Sequence, residues 1–271
     1  FIVMSKKSKI SRRNAIKTFA LGSSTLAFPK MNRMISTNSK NELLKGNINQ
    51  SVCQWCYNKM PLEELAKEAK EIEDRLNKVR ENSCFIVQAD FNDPDSVRKL
   101  QENIAQITNK LDVLINNASS FYPTPLENAT SQEWSDLMNT NATAPLFLTQ
   151  ALLPFIKNAK GSVINISDTL APSGIKNFSL YAGAKSALEG ITKSLAKELA
   201  PDIRVNAISP GAILWPEDED LTDEQKQDRL KKVALGRIGK PEDISSLAVF
   251  LSSANYITGQ IIKVDGGRSV I

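Results

Sequence analysis

The sequence predicts an α/β fold, a doubly wound parallel sheet covered by helices on both faces, and three observations predict it. From residue 84 to residue 271 strand-like and helix-like stretches alternate. The strand-like stretches are short apolar runs rich in Val and Ile, and turn-formers such as Pro172, Gly174 and Pro210-Gly211 punctuate the junctions. Alternation of this kind calls for parallel strands joined by crossover helices, buried on both sides.

Taken in order, Cys84 to Ala89 reads as a strand and a helix follows from Pro94. Asp112 to Asn117 is the next strand, with helices between Ser131 and Ile156. Ser162-Val-Ile-Asn-Ile-Ser-Asp168 alternates and concentrates β-branched residues as a buried strand does. A loop holding Pro172 and Gly174 then leads to a helix from Tyr181, whose Ala182, Gly183, Ala184 and Ala187 are small enough for close packing. Ile203 to Ser209 is a further strand, followed by the loop Pro210 to Pro216, an acidic run Glu217 to Asp220, and a polar helix through about Lys232. Those charges read as solvated surface. Gly236 to Asp243 opens another helix, with Pro241 and the acids Glu242 and Asp243 suited to its first turn. Gln260 to Val264 is the last strand and ends in Asp265-Gly266-Gly267.

Chemistry concentrates at one place in this pattern. Tyr181 and Lys185 lie at i and i+4, so they share one helix face and the ammonium can sit beside the phenol. A neighbouring cation favours the phenolate, which fits such a Tyr for proton transfer. Asp168 stands at the carboxyl end of a strand, the rim on which ligands bind in open α/β sheets.

With those residues in view, the chain from about residue 73 to residue 271 resembles the short-chain dehydrogenase/reductase family, whose signature is a Ser about thirteen residues ahead of a Tyr-x-x-x-Lys pair. Asp168 occupies the Ser position. Asn116-Asn117-Ala118 after the Asp112 strand and Asn141 ahead of Pro145 match two further family motifs, and Pro210-Gly211 matches its substrate loop. Two departures, Asp168 for Ser and Ser119 for the usual Gly in Asn-Asn-Ala-Gly, resemble the pteridine reductase branch.

The resemblance implies a Rossmann-like sheet and reduction of a pterin or dihydrofolate-like ring by NADPH. Asp168, Tyr181, Lys185 and Asn141 would be the catalytic group. Asp90, Asn117, Ala118, Ser119, Tyr181, Lys185, Pro210 and Gly211 would hold the cofactor. Ser119, Phe121, Leu214 and Trp215 would hold the substrate, with Phe121 stacking the ring against the nicotinamide. A carboxylate in place of a hydroxyl suits a ring that presents nitrogens and an amino group rather than one carbonyl oxygen. A carbonyl or 3-oxoacyl substrate is the alternative within the family. The family's helix packing also implies a homodimer or homotetramer.

Upstream the pattern changes. The family's first unit carries a glycine-rich turn that lets backbone amides approach the cofactor pyrophosphate, yet only Gly22 and Gly46 precede Gly161. Ser11-Arg12-Arg13-Asn14-Ala15-Ile16-Lys17 with the apolar stretch to Phe28 resembles a twin-arginine export leader. That stretch is too short for a membrane span. We read residues 1–40 as such a leader, disordered or helical, 41–72 as a foreign or remodelled βα segment, and 73–271 as the reductase domain. Leu44 to Tyr57 with the helix-like Pro61 to Ile72 resembles the first unit of exported hydroxypyruvate isomerase-like barrels. A fusion or a mis-assembled reading frame would account for the change, consistent with Phe1 preceding Met4. Alternatively Ser51 to Tyr57 serves as the second reductase strand, with Lys59 placed to meet the 2′-phosphate of NADPH.

Composition narrows the field. Residues 1–45 hold ten basic residues and a single acid, Glu42, whereas the remainder holds 24 basic and 29 acidic residues. The basic balance therefore belongs to the leader and gives no reason to expect nucleic-acid binding. With no His in the chain, Ser-His and Cys-His nucleophiles and His-containing metal sites are excluded. Cys53-x-x-Cys56 is one isolated pair, so no metal is expected, and Cys84 reads as a core residue. The reductase reading implies a cytoplasmic site of action and the leader a periplasmic one. Two functions stand: an NADPH-dependent reductase, and a catalytically silent fusion that binds no dinucleotide.

Overall fold

The computed structural model describes residues 2–3, 50–51, 62–79, 81, 84–87, 89–91, 93, 95–213 and 221–271. The expectations for the leader, Cys53-x-x-Cys56, Lys59, Leu214, Trp215 and the acidic run lie outside these residues.

Four strands form an all-parallel sheet in the order β4 (Val113–Asn116), β5 (Ser162–Ile166), β6 (Arg204–Pro210), β7 (Ile261–Val264). The chain order is preserved across the sheet, as crossover helices demand. Three shorter strands, β1 (Ile2–Val3), β2 (Gln50–Ser51) and β3 (Ile86–Val87), form a second sheet in which β1 pairs antiparallel with both others. Of the strand expected between Ser51 and Tyr57, only its first residue is described as strand.

Register explains the two-sided core. Leu114, Val163 and Val205 align across three strands, while their neighbours Val113 and Ile164 point to the opposite face. The first set joins Leu100 and Ile104 of α2 (Ser96–Ile107), Leu148, Leu152 and Ile156 of α4 (Ala144–Ala159) and Ala196 of α5 (Ser179–Glu198). The second set meets Leu251, Ile244 and Leu247 of α7 (Pro241–Ser253).

Local chemistry sets the element ends. α3 (Ser131–Met138) opens on a reciprocal cap in which the Thr130 hydroxyl accepts from the Glu133 amide and the Glu133 carboxylate accepts from the Thr130 amide. Thr222 and Gln225 repeat this for α6 (Asp223–Leu230), which stops two residues short of the expected Lys232. Asp243 accepts from the Lys240 amide at the start of α7, beside Pro241, as the first-turn acids imply.

Three expectations need correction. The strand expected from Cys84 to Ala89 shrinks to Ile86–Val87 because the Asn77 side chain takes both backbone groups of Cys84 at 2.9 Å each, in place of a strand partner. The helical run from Ser131 to Ile156 is interrupted by a π-helical turn at Asn139–Thr143, in which the Ala144 amide donates to the Asn139 carbonyl. Pro145, which has no amide to donate, follows at once. The helix expected from Pro61 to Ile72 runs on to Val79 as α1 (Leu62–Val79). That helix docks on β3 through Glu73, which accepts from the Ile86 amide at 3.0 Å. Among the described residues no helix is long and apolar enough to cross a membrane.

Candidate active site

The parallel strands all end on one rim, and Asp168, Tyr181, Lys185, Ser119, Asn141 and Phe121, all singled out from the sequence, gather there. Past the end of β5, Asp168 turns one carboxylate oxygen to the Leu170 amide at 2.7 Å and the other to the Tyr181 hydroxyl, which donates to it at 3.0 Å. The first bond is an Asx-type turn that fixes the carboxylate as the chain leaves the strand. Tyr181 is buried in the first turn of α5, which begins at Ser179, two residues earlier than the sequence indicates.

Lys185 follows one turn later and is 2% exposed. Its ammonium donates to the Ile166 carbonyl at 2.9 Å and lies 5.9 Å from the centroid of the Tyr181 ring. The i, i+4 spacing therefore does bring the cation over the phenol, within reach of a cation–π attraction. Ser167, adjacent to Asp168, spends its hydroxyl on Glu189 of α5 at 2.9 Å. It does not substitute for the hydroxyl that Asp168 replaces.

On the β4 side, Asn116 is buried and its side-chain amide donates to Asn165 at 2.8 Å, tying the two strands together. Asn117 and Ala118 come next on the rim, half-buried. Ser119 is buried and donates to Asn141 at 2.6 Å. Asn141 sits in the π-helical turn, is fully buried, and donates to the carbonyls of Ser120 and Leu137 at 2.9 Å each. A wide turn of this kind marks functional sites in many helices; here it aims one amide at the loop that carries Ser119.

Phe121 packs face to face on Phe178, with ring centroids 4.6 Å apart, and edge-on to Tyr181 at 4.8 Å. Phe178 immediately precedes α5, so this aromatic cluster wedges the β4 loop against the Tyr181 helix. One face of Phe121 is thus already covered by protein.

Beyond β6, the Gly211 amide donates to the Val264 carbonyl at 3.0 Å, which lays the Pro210-Gly211 loop against the end of β7. A Cβ on Gly211 would fall 2.6 Å from the Asp265 Cα. Asp90, which follows β3, is exposed, and its carbonyl accepts from the Asp93 amide.

These groups fit the nicotinamide and ribose half of a dinucleotide. The amide of Asn117 and the ammonium of Lys185 are donors suited to ribose and carboxamide oxygens, and the hydroxyls of Ser119 and Tyr181, whose protons go to Asn141 and Asp168, offer acceptor lone pairs to ribose hydroxyls and the carboxamide N–H. For the pyrophosphate half, the sequence ahead of Gly161 offers only Gly22 and Gly46, both outside the described residues.

Sequence reading missed three participants. The π-helical turn around Asn141 and the Phe178 partner of Phe121 carry no local signal. Asp265 is the third: its carboxylate accepts from the Thr169 hydroxyl at 2.9 Å across 96 residues of chain. Its place in a closing Asp-Gly-Gly next to the rim was the one available pointer.

Comparison with known proteins agrees with this geometry. A family model described as enoyl-(acyl carrier protein) reductase matches residues 58–269. The 3-oxoacyl-[acyl-carrier-protein] reductase FabG of Thermotoga maritima is 36% identical over 179 residues, covering 65% of this chain and 73% of the relative. Its counterpart from Chlamydia trachomatis is 38% identical over 184 residues, covering 66% and 74%. A solved short-chain alcohol dehydrogenase from Sinorhizobium meliloti superposes with a TM-score of 0.68 at 31% identity, over 78% of this chain and 84% of that one. An apo SCOR enzyme from Clostridium thermocellum gives 0.63 at 32%, over 69% and 74%.

Proposed function

Because the chain belongs to the short-chain dehydrogenase/reductase family, we propose that it is an NADPH-dependent reductase in which Tyr181 delivers the proton that completes hydride transfer. The observation that carries this reading is the meeting of the Tyr181 hydroxyl, the Asp168 carboxylate and the Lys185 ammonium on the strand rim. Bound NADPH would supply the hydride, held by Asn117, Ala118, Ser119, Tyr181, Lys185 and the Pro210-Gly211 loop, with Asp90 and Lys59 assigned to it by resemblance. Tyr181 gives up its proton as negative charge develops on the substrate, and the buried Lys185 stabilises the phenolate left behind. Asn141 holds Ser119 and its loop in place.

Two observations bear on the substrate. The curated relatives are named as 3-oxoacyl-[acyl-carrier-protein] reductases, and this supports a carbonyl substrate of the 3-oxoacyl class as the first reading. Asp168 favours a second, a pterin or dihydrofolate-like ring. A carboxylate offers only acceptors and suits N–H groups, whereas a carbonyl oxygen gains most from donors. Phe121, Leu214 and Trp215 would complete that site. Either reaction fits a homodimer or homotetramer acting on the cytoplasmic NADPH pool; exposed Trp134 and Phe147 support self-association. The leader reading, with a periplasmic site, stays a proposal of its own.

NADPH consumption with an acetoacetyl thioester and with dihydrobiopterin tests the choice. Under the carbonyl reading the thioester is turned over and Asp168→Ser retains or raises that rate. Under the pterin reading the ring is turned over and the same variant loses on the order of 100-fold. Tyr181→Phe with unchanged turnover of both would overturn the proton assignment. Absence of saturable NADPH fluorescence at millimolar cofactor would leave the silent fusion instead.

A further inference from the structure

Asp265 ends β7 and makes contacts that its place in a closing turn does not require. One carboxylate oxygen accepts from the Gly267 amide at 2.9 Å, and the other accepts from the Ser269 amide and the Thr169 hydroxyl, both at 2.9 Å. The two amide bonds are local and close the C-terminal turn. The third reaches the segment that carries Asp168.

That segment is extended. The Ser167 amide donates to Ile208 and the Thr169 amide to Pro210, so the β5–β6 ladder continues past the end of β5 to the last residue of β6, with Asp168 between its last two rungs. Successive side chains of an extended segment point to opposite sides. Asp168 faces Tyr181 while Thr169, 2% exposed, faces Asp265. The Pro210-Gly211 loop closes over the same residue, since Gly211 has no room for a Cβ against the Asp265 backbone.

We infer that Asp265 is a positioning residue for the proton-delivery site, acting through the Thr169 hydroxyl to fix the orientation of Asp168 toward Tyr181. Burial alone would raise the Asp265 carboxyl, but hydrogen bonds from Ser269, Thr169 and Gly267 outweigh it and hold the group below its ordinary range. It therefore stays anionic and anchors Thr169 without exchanging protons. The catalytic consequence rests on the reductase reading above; the orientation itself does not.

The test separates the two. Tyrosine labelled with 13C at Cζ gives one signal for each of the four tyrosines of the full chain, and Tyr181→Phe assigns the one that matters. Asp168→Asn supplies the shift caused by altering the Tyr181 partner directly. Thr169→Val should move the Tyr181 signal in the same direction, Thr169→Ser should restore the wild-type position, and Asp265→Asn should follow Thr169→Val. Thr169→Val leaves both local Asp265 bonds intact, so it remains decisive if Asp265→Asn does not fold. In turnover assays the Val variant should lose roughly tenfold or more in kcat with little change in the KM for NADPH, the signature of a misplaced reacting group. A Tyr181 signal unmoved in Thr169→Val but moved in Asp168→Asn overturns the inference. Moved signals in a chain that turns over neither substrate support the positioning role and count against the reductase reading alone.

Discussion

Replacing Gly211 by Ala tests whether the loop after β6 is held as tightly as its geometry requires. The new methyl would lie 2.6 Å from the Asp265 Cα, 2.7 Å from its Cβ and 3.2 Å from its carbonyl carbon. Carbon atoms pack comfortably at about 3.5 Å or more, so something must move by roughly 0.9 Å. Asp265 resists, because three hydrogen bonds hold its carboxylate, and the Pro210-Gly211 loop must lift instead. Overpacking of this kind costs about 1–3 kcal/mol. For a body of this size that is a fall in Tm of about 3–10 °C. A displacement near 1 Å at a cofactor loop also costs on the order of 100-fold in kcat/KM. Circular-dichroism melting and steady-state turnover measure the two effects separately, and NADPH fluorescence titration reads the nucleotide affinity. Gly190→Ala is the control: a Cβ there meets nothing within 4 Å, so it should be neutral or stabilising by up to about 1 kcal/mol through helix propensity. A Gly211→Ala chain that melts and binds NADPH like the parent would refute the close approach. Lower Tm with unchanged nucleotide affinity would remove the loop from the cofactor site.

Further outcomes follow from single side chains. Asn141→Ala deletes one accepted and two donated hydrogen bonds in a fully buried turn and should cost about 2–4 kcal/mol; an unchanged urea midpoint would mean that the π-helical turn does not depend on this amide. Arg204 donates to the Leu251 and Ser252 carbonyls at 2.7 and 2.9 Å, satisfying the end of α7, so Arg204→Met should leave two carbonyls without partners and fray that helix. Faster hydrogen exchange at residues 249–253 would show it, and unaltered exchange would contradict it. Burial, with Glu73 adding to it, pushes the Cys84 thiol up to about 11 from 9.0. The folded chain holds that proton more tightly than the unfolded one, so this contribution to stability is whole below pH 9.0 and lost as pH rises toward about 11. In a Cys53→Ser, Cys56→Ser background, Cys84 should react with a disulfide reagent at pH 8 only after unfolding; prompt reaction in the native chain would show the thiol to be accessible.

The parts of this molecule that could be read from sequence are those whose cause lies within a few residues. Tyr181 and Lys185 meet because helical spacing puts them together, and β5 and β6 are legible because apolar β-branched runs have few other solutions. Capping at Asp243 follows from a Pro and two acids in one turn. The parts that could not be read depend on distant partners. Nothing near Cys84 says that Asn77 will take its backbone and end the strand. The π-helical turn needs both a proline after it and a buried partner, Ser119, twenty-two residues before it. Phe121 was legible as a loop aromatic, but its stacking on Phe178 depends on how two loops fold together.

The same distinction bears on where the family portion begins. The helix expected from Pro61 to Ile72 runs on to Val79, and Glu73 and Asn77, which bind the Ile86 and Cys84 backbone, lie in the added turns. On the near side Ala69 is buried and Lys70 pairs with Glu73. The family match opens at residue 58, ahead of this helix. Ahead of residue 58 the sequence offers Gly22 and Gly46 and no glycine-rich turn.

The rim itself shows why a short motif is informative without being sufficient. Lys185 is held by Ile166, Ser167 by Glu189, Thr169 by Asp265 and Ser119 by Asn141, each tie joining different elements. The geometry around the Tyr181 hydroxyl is thus specified by residues spread from 119 to 265, of which Tyr-x-x-x-Lys is only the most compact part. Asp168 occupies the centre of that arrangement, gripped by its own turn and by Tyr181. Under the pterin reading its carboxylate would change which substrate atoms can be received while leaving the framework of the family unaltered. On that reading substrate choice and fold are separable, and a substitution confined to residue 168 probes the first with the ties of Lys185, Ser167, Thr169 and Ser119 left in place.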